Sequence, residues 1–151
     1  MCQEVSSLGF SHRILRQALI GIIALMLGAH VAAEQKVQVG EFEIHYTAFP
    51  SRLVPPDTAN LHGLTRAENR LLLNLSVRRA GEPVPARVTG QVVNILNQAQ
   101  PLTFFEVSEQ TAIYYLAEVV NQEKDWLRFT LEIEFSKDQP PYVLEFNRQY
   151  Y

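Results

Sequence analysis

From Leu127 to Phe135 the chain alternates without a break. Leu127, Phe129, Leu131, Ile133 and Phe135 fall on one side, and Arg128, Thr130, Glu132 and Glu134 on the other. Successive residues of a strand point to opposite faces, so this stretch predicts a half-buried antiparallel strand with a core face and a water face. The same period recurs. Phe42, Ile44, Tyr46 and Ala48 alternate with Glu43, His45 and Thr47, and Leu71, Leu73, Leu75 and Val77 alternate with Asn74, Ser76 and Arg78. Further strands are expected at Val84–Leu96, Leu102–Val107, Ala112–Val120 and Tyr142–Tyr150, the last with Tyr142, Leu144, Phe146 and Tyr150 on one side. Ala112–Val120 is apolar on both faces and belongs in the middle of a sheet. Gly90, inside the third strand, marks a bulge or a close backbone approach.

No segment after residue 33 keeps a helical period for three turns. Seven strands separated by Gly-, Pro- and Asn-rich turns predict an all-β fold: a single seven-stranded antiparallel β-sandwich, immunoglobulin-like or fibronectin-like, with a jelly roll as the alternative. The lone tryptophan, Trp126, opens a strand and is expected at the rim.

One connection is out of proportion. Pro50 to Asn69 is longer than most loops in compact domains. Asp57 is placed to cap a helical turn ending at Gly63, and Thr65-Arg66-Ala67-Glu68 fits a capping box for a second turn. A long loop on a rigid scaffold is where function is sought first. A concave apolar pocket there would favour ligand binding or catalysis, and a packed lid an interaction module.

The N-terminus breaks the alternation altogether. Arg13 and Arg16 precede the apolar run Ala18–Ala29, and Val31-Ala32-Ala33 supplies small residues for cleavage. A cleaved export signal over 1–33 is expected, leaving a β-sandwich domain over 34–151. The run to Ala33 is short of the roughly 20 residues a membrane span needs, so no span is expected after removal. The only cysteine, Cys2, lies ahead of the apolar run, so the mature domain has no thiol and must be held by packing. Trimming leaves 11 basic against 15 acidic groups, a net charge of −4. That balance argues against a nucleic-acid partner and gives no support for docking on an anionic membrane.

GEFEIHYTAFPS (40–51), ENRLLLNLSV (68–77), VTGQVVNIL (88–96), AIYYLAE (112–118) and the terminal PYVLEFNRQYY together resemble the small exported bacterial family known as domain of unknown function 4426. The resemblance spans about residues 36 to 151, and His45-Tyr46 running into Phe49-Pro50 is its most specific piece. It implies a Gram-negative, periplasmic, single-domain β protein and brings no site residues with it.

Candidate chemistry is sparse. Glu41, Glu43 and His45 share a strand face, but one face cannot converge the three or four ligands zinc requires, so no metal and no cofactor is expected. Glu132 and Glu134 are neighbours on an exposed face and flank no cleft, unlike glycosidase carboxylates. No Gly-x-Ser-x-Gly elbow surrounds any serine, and no catalytic residue is assigned. The binding candidates are His45 with Arg52, His62, Arg66 and Arg70, whose cationic character in an acidic protein suits an anionic group. The bland alternative pairs them with Glu68, Asp57 and neighbouring carboxylates. The expected role is a non-catalytic binding or accessory module of the cell envelope, with an envelope protein partner taken up along an edge strand. The edges expected are the first strand, behind a flexible Glu34-Gln35-Lys36 arm, and the strand around Leu102. The alternatives are a small periplasmic hydrolase using Arg52, Asp57, His62 and Arg66 near His45, and a structural subunit of an envelope assembly.

Overall fold

The computed structural model describes residues 35–122 and 126–150; the expected export signal lies outside them. The described residues form β1 (Gln35–Val39), β2 (Phe42–Pro50), a 3-10 turn (Ser51–Leu53), α1 (Pro56–His62), β3 (Arg70–Arg79), β4 (Glu82–Pro83), β5 (Arg87–Asn94), β6 (Ala99–Pro101), β7 (Phe105–Ser108), β8 (Ile113–Val120), β9 (Trp126–Glu134) and β10 (Tyr142–Gln149). One sheet runs β1-β2-β3-β8-β7, with β4 continuing on β3, and the second runs β10-β9-β5-β6. Every pairing is antiparallel.

The order β2-β3-β8-β7 against β10-β9-β5 is the A-B-E-D and G-F-C arrangement of the immunoglobulin sandwich, and β6 takes the place of an added C′ strand. The seven strands expected from alternation are these seven. Three short ones were not foreseen. Glu82–Pro83 and Ala99–Pro101 are too brief to show a period. Gln35–Val39, whose first two residues belong to the expected flexible arm, pairs along β2 from Gln35 opposite Tyr46 to Val39 opposite Phe42. That pairing corrects the edge: β2 lies inside the sheet and β1 bounds it.

Alternation explains the core. Ile44, Leu71, Leu73, Leu75, Val77, Ala117 and Val119 of one sheet pack with Val92, Leu127, Phe129, Leu131, Ile133 and Leu144 of the other. Full burial of a Leu, Ile or Phe stabilises by about 1.5–3 kcal/mol each, which replaces the missing covalent bridges. Two aromatic contacts join the sheets: Phe42 stacks on Phe135 at 4.3 Å, and Tyr46 meets Phe146 at 4.7 Å. Gly90 is a close approach with no bulge. Its register with Leu131 is unbroken, and an added Cβ would lie 2.4 Å from the Thr130 carbonyl oxygen.

Candidate functional site

The loop between β2 and β3 is a lid packed on the outer face of the first sheet. Val54 and Ala59 are buried against Leu72 of β3 and Leu116 of β8, with Phe49, Leu64, Phe105 and Tyr114 around them. This is why β8 is apolar on both faces: one lines the core and the other lies beneath the lid. α1 begins with Pro56 at its first position, where a missing N–H costs nothing. Gly63 ends it at φ 66°, and Leu64 N–H closes the cap on the Ala59 carbonyl at 2.8 Å. Asp57 sits in the first turn and Pro55 holds the capping position, so the expected Asp57 cap is corrected.

The second expected turn does not form either, because tertiary contacts claim its backbone. Thr65 N–H donates to Glu118 Oε1 at 2.6 Å. Ala67 N–H donates to Ser51 Oγ at 3.0 Å, and the same hydroxyl donates to the Ala67 carbonyl at 3.2 Å. Ser51 is 2% exposed. It latches the two ends of the loop together and is engaged by the backbone, which leaves it a poor nucleophile.

The three candidate arginines are spent on the same task. Arg52 pairs with Glu68, and Arg66 donates to the Arg52 carbonyl at 2.9 Å. Arg70 lies 3.5 Å from Glu118, the carboxylate that also holds Thr65. His62 falls in the last turn of α1. The pairing with Glu68 is the one the sequence suggested; Glu118, not Asp57, supplies the second carboxylate.

His45 stands apart on the outer face of β2. Its Nε2 lies 2.5 Å from Glu43 Oε1, while Lys36 of β1 reaches Glu43 Oε2 at 3.0 Å. Hydrogen bonds from Lys36, and then from His45, hold the Glu43 carboxyl below its ordinary range. Glu41 belongs to the β1–β2 turn and faces Arg79 at 3.6 Å. Among the described residues no three His, Cys, Asp or Glu side chains converge as metal ligands. On the second sheet Glu134 pairs across strands with Arg87 at 3.7 Å.

The sequence reading missed a different group. Arg148 follows Leu144 and Phe146 on the core-facing side of β10 and lies opposite the buried Leu127. Its Nε and Nη2 are buried with no hydrogen-bond partner, as are Tyr150 Oη and Gln35 Oε1. The signal was available: position 148 falls in the apolar register of the last strand. An open groove of about 670 Å³ lies toward the β5–β6 turn, lined by Val92, Leu96, Gln100, Asn121 and Leu127 among others.

The profile of the family described as a domain of unknown function, DUF4426, matches residues 36–151. A crystal structure of a DUF4426 family protein from Pseudomonas aeruginosa PAO1 is similar at 33% identity and TM-score 0.70, covering 78% of this chain and 94% of that one. Two structures of FetP from uropathogenic Escherichia coli strain F11 share the fold at 16% identity, each covering 78% of this chain. One is a copper-bound glutamate-to-glutamine variant, with TM-score 0.59 and 95% of that chain covered. The other is the protein as isolated after recombinant expression in the periplasm, with TM-score 0.57 and 93% covered. No curated protein matches the chain.

Proposed function

This chain belongs to the DUF4426 family, and from that premise we propose that it is a non-catalytic binding or accessory module of the bacterial cell envelope. The observation that carries the proposal is the lid. The longest loop, where a ligand site was sought, is packed down on the sheet with its arginines matched to Glu68, Glu118 and a carbonyl. Such a loop stiffens a surface; it does not open a reaction chamber. An envelope location is supported by the shared fold of FetP, expressed in the periplasm, and by the export signal expected in the sequence. No helix among the described residues is long and apolar enough to cross a membrane.

Copper belongs to the FetP variant. Here Glu43 and His45 offer two donors, and an ammonium already shares that carboxylate. A partner is better sought along the end strands of the sheets among the described residues, β1 and β7 of one and β10 and β6 of the other. An extended segment added to such an edge gains main-chain hydrogen bonds, and alternate side chains supply selectivity.

The test is photo-crosslinking in the intact envelope, with the reactive side chain placed at Lys36, Ala99, Glu106 or Gln149. A discrete crosslinked partner from at least one edge is expected. Recovery of the protein alone from every edge position, across growth conditions, would overturn the reading.

A further inference from the structure

Among the described residues, Arg148 turns toward the core with two guanidinium nitrogens, Nε and Nη2, that are buried without an acceptor. Cross-strand partners share a face, so Arg148 points the same way as Leu127, whose side chain is buried. The unpaired atoms, Nε and Nη2, form the side-on fork of the guanidinium, whose two parallel donors fit both oxygens of a carboxylate. Tyr150 lies two residues on, on the same face. Burial pushes its phenol up to about 12, against the opposing influence of Arg148, so the hydroxyl is desolvated and close to that charge. Gln35 opens β1, the edge strand of the opposite sheet, and lies beside Tyr46, whose ring meets Phe146 across the sandwich. Gln35 Oε1 is an acceptor in need of a donor.

We propose that this seam, between the end of β10 and the start of β1, is a subsite for the carboxylate of an extended peptide, gripped by the Nε/Nη2 fork of Arg148. Tyr150 donates a further hydrogen bond to the carboxylate, and Gln35 accepts an N–H of the same peptide. β1 and β10, each the end strand of its sheet among the described residues, border the seam, which is the reason for a peptide in preference to a free acid. The fork is closed over here. A ligand enters as the strand ends part, the region of a sheet that opens at least cost. The inference rests on the binding-module reading only for the ligand being polypeptide.

The test uses protein purified from the envelope and the Nε–H signal of Arg148 in ¹⁵N–¹H spectra, assigned by its loss in Arg148→Gln. N-acetylglycine supplies a C-terminal carboxylate, the α-amide of N-acetylglutamate a side-chain one, and N-acetylglycine amide neither. At least one carboxylate probe is expected to shift the signal downfield saturably at millimolar concentration, and whichever does identifies the source. The neutral amide leaves it unmoved. A six-residue alternating Val/Thr peptide bearing the preferred carboxylate is expected to bind about tenfold tighter than the small probe, through added main-chain bonds. Arg148→Gln and Arg148→Met, both checked for native circular dichroism, abolish the thermal shift caused by that peptide. An Nε–H signal unmoved by every carboxylate, or moved equally by the amide, overturns the site. Equal affinity of peptide and small probe overturns the peptide, and equally tight binding of inorganic phosphate overturns the carboxylate. Absence of a crosslinked partner would sink the module reading alone and leave the carboxylate response standing.

Discussion

The lid and the seam handle charge in opposite ways. In the lid, Arg52, Arg66 and Arg70 lie at the surface and each has an acceptor. In the seam, Arg148 faces inward and its fork has none. A surface ion pair contributes little, so the lid's pairs set geometry more than stability. A buried donor without an acceptor costs about 1–3 kcal/mol, so the seam is a place where the fold gives up stability. Loops attract attention as sites, yet here the loop is the finished part of the molecule and a regular strand holds the unfinished one.

Breaking the lid at its latch has the largest expected effect. Ser51→Ala removes a hydroxyl that serves both the N–H and the carbonyl of Ala67. Each lost partner leaves a backbone group short of a bond, and a loss of about 2 kcal/mol is expected. Urea denaturation reads the loss, and hydrogen exchange should quicken first over 64–70. Unchanged exchange there would show that Val54 and Ala59 hold the lid without the latch.

The seam responds with the opposite sign. Arg148→Met removes the two buried donors that lack acceptors and should raise stability by roughly 1 kcal/mol, since their desolvation cost is relieved. A fall in the urea midpoint would mean that the arginine stem packs better than methionine or that its fork is already paired. Either outcome removes the contrast with the lid.

How far sequence reached follows the same division. Period-two alternation exposed β2, β3, β5, β7, β8, β9 and β10, because a one-residue slip would turn each apolar row into water. It read less from β1, where Val37 and Val39 stand among Gln35, Lys36 and Gln38. The lid's apolar residues, Val54, Ala59 and Leu64, follow no period, so their burial was not legible. The capping box at Thr65 failed for a tertiary reason: Ser51 and Glu118, distant in sequence, took the backbone groups that a helix would have used. His45 and the loop arginines stood out as chemistry because they are polar residues in polar stretches. Arg148 was passed over although it breaks an apolar row, and a polar residue in a buried register is the stronger signal of the two.

Alkali provides a finer test of the seam. Tyr150 ionises in the unfolded chain near the ordinary phenol value of about 10, and in the fold near about 12. A raised value means the fold favours the neutral phenol. Its contribution is therefore intact below pH 10 and is lost as pH rises through the interval to 12. Tyr150→Phe should flatten the decline in stability across that window relative to the parent chain. Tyr115 is also raised by burial, with its hydroxyl oxygen accepting from Ala86 N–H at 2.8 Å, and it remains in both proteins as a common background. Parallel alkaline curves would show that Tyr150 meets water freely and would weaken the case for a desolvated seam.

The smallest effect lies on the outer face of β2, where a half-exposed carboxylate lies between an ammonium and an imidazole. Glu43 is held low chiefly by Lys36 and secondarily by His45. A depressed carboxyl stabilises the fold above its unfolded value and loses that contribution as pH falls through the folded one. Lys36→Ala should therefore let the Glu43 carboxyl carbon titrate closer to the ordinary range by NMR, with little change in the urea midpoint at neutral pH, as expected for an exposed pair. His45→Ala should move it less. If the order is reversed, the imidazole is the main partner of Glu43 and Lys36 is incidental. The strand pair Glu43–His45 would then be a second polar assembly on a regular element, and the contrast between a finished loop and an unfinished strand would extend to both edges of the first hairpin.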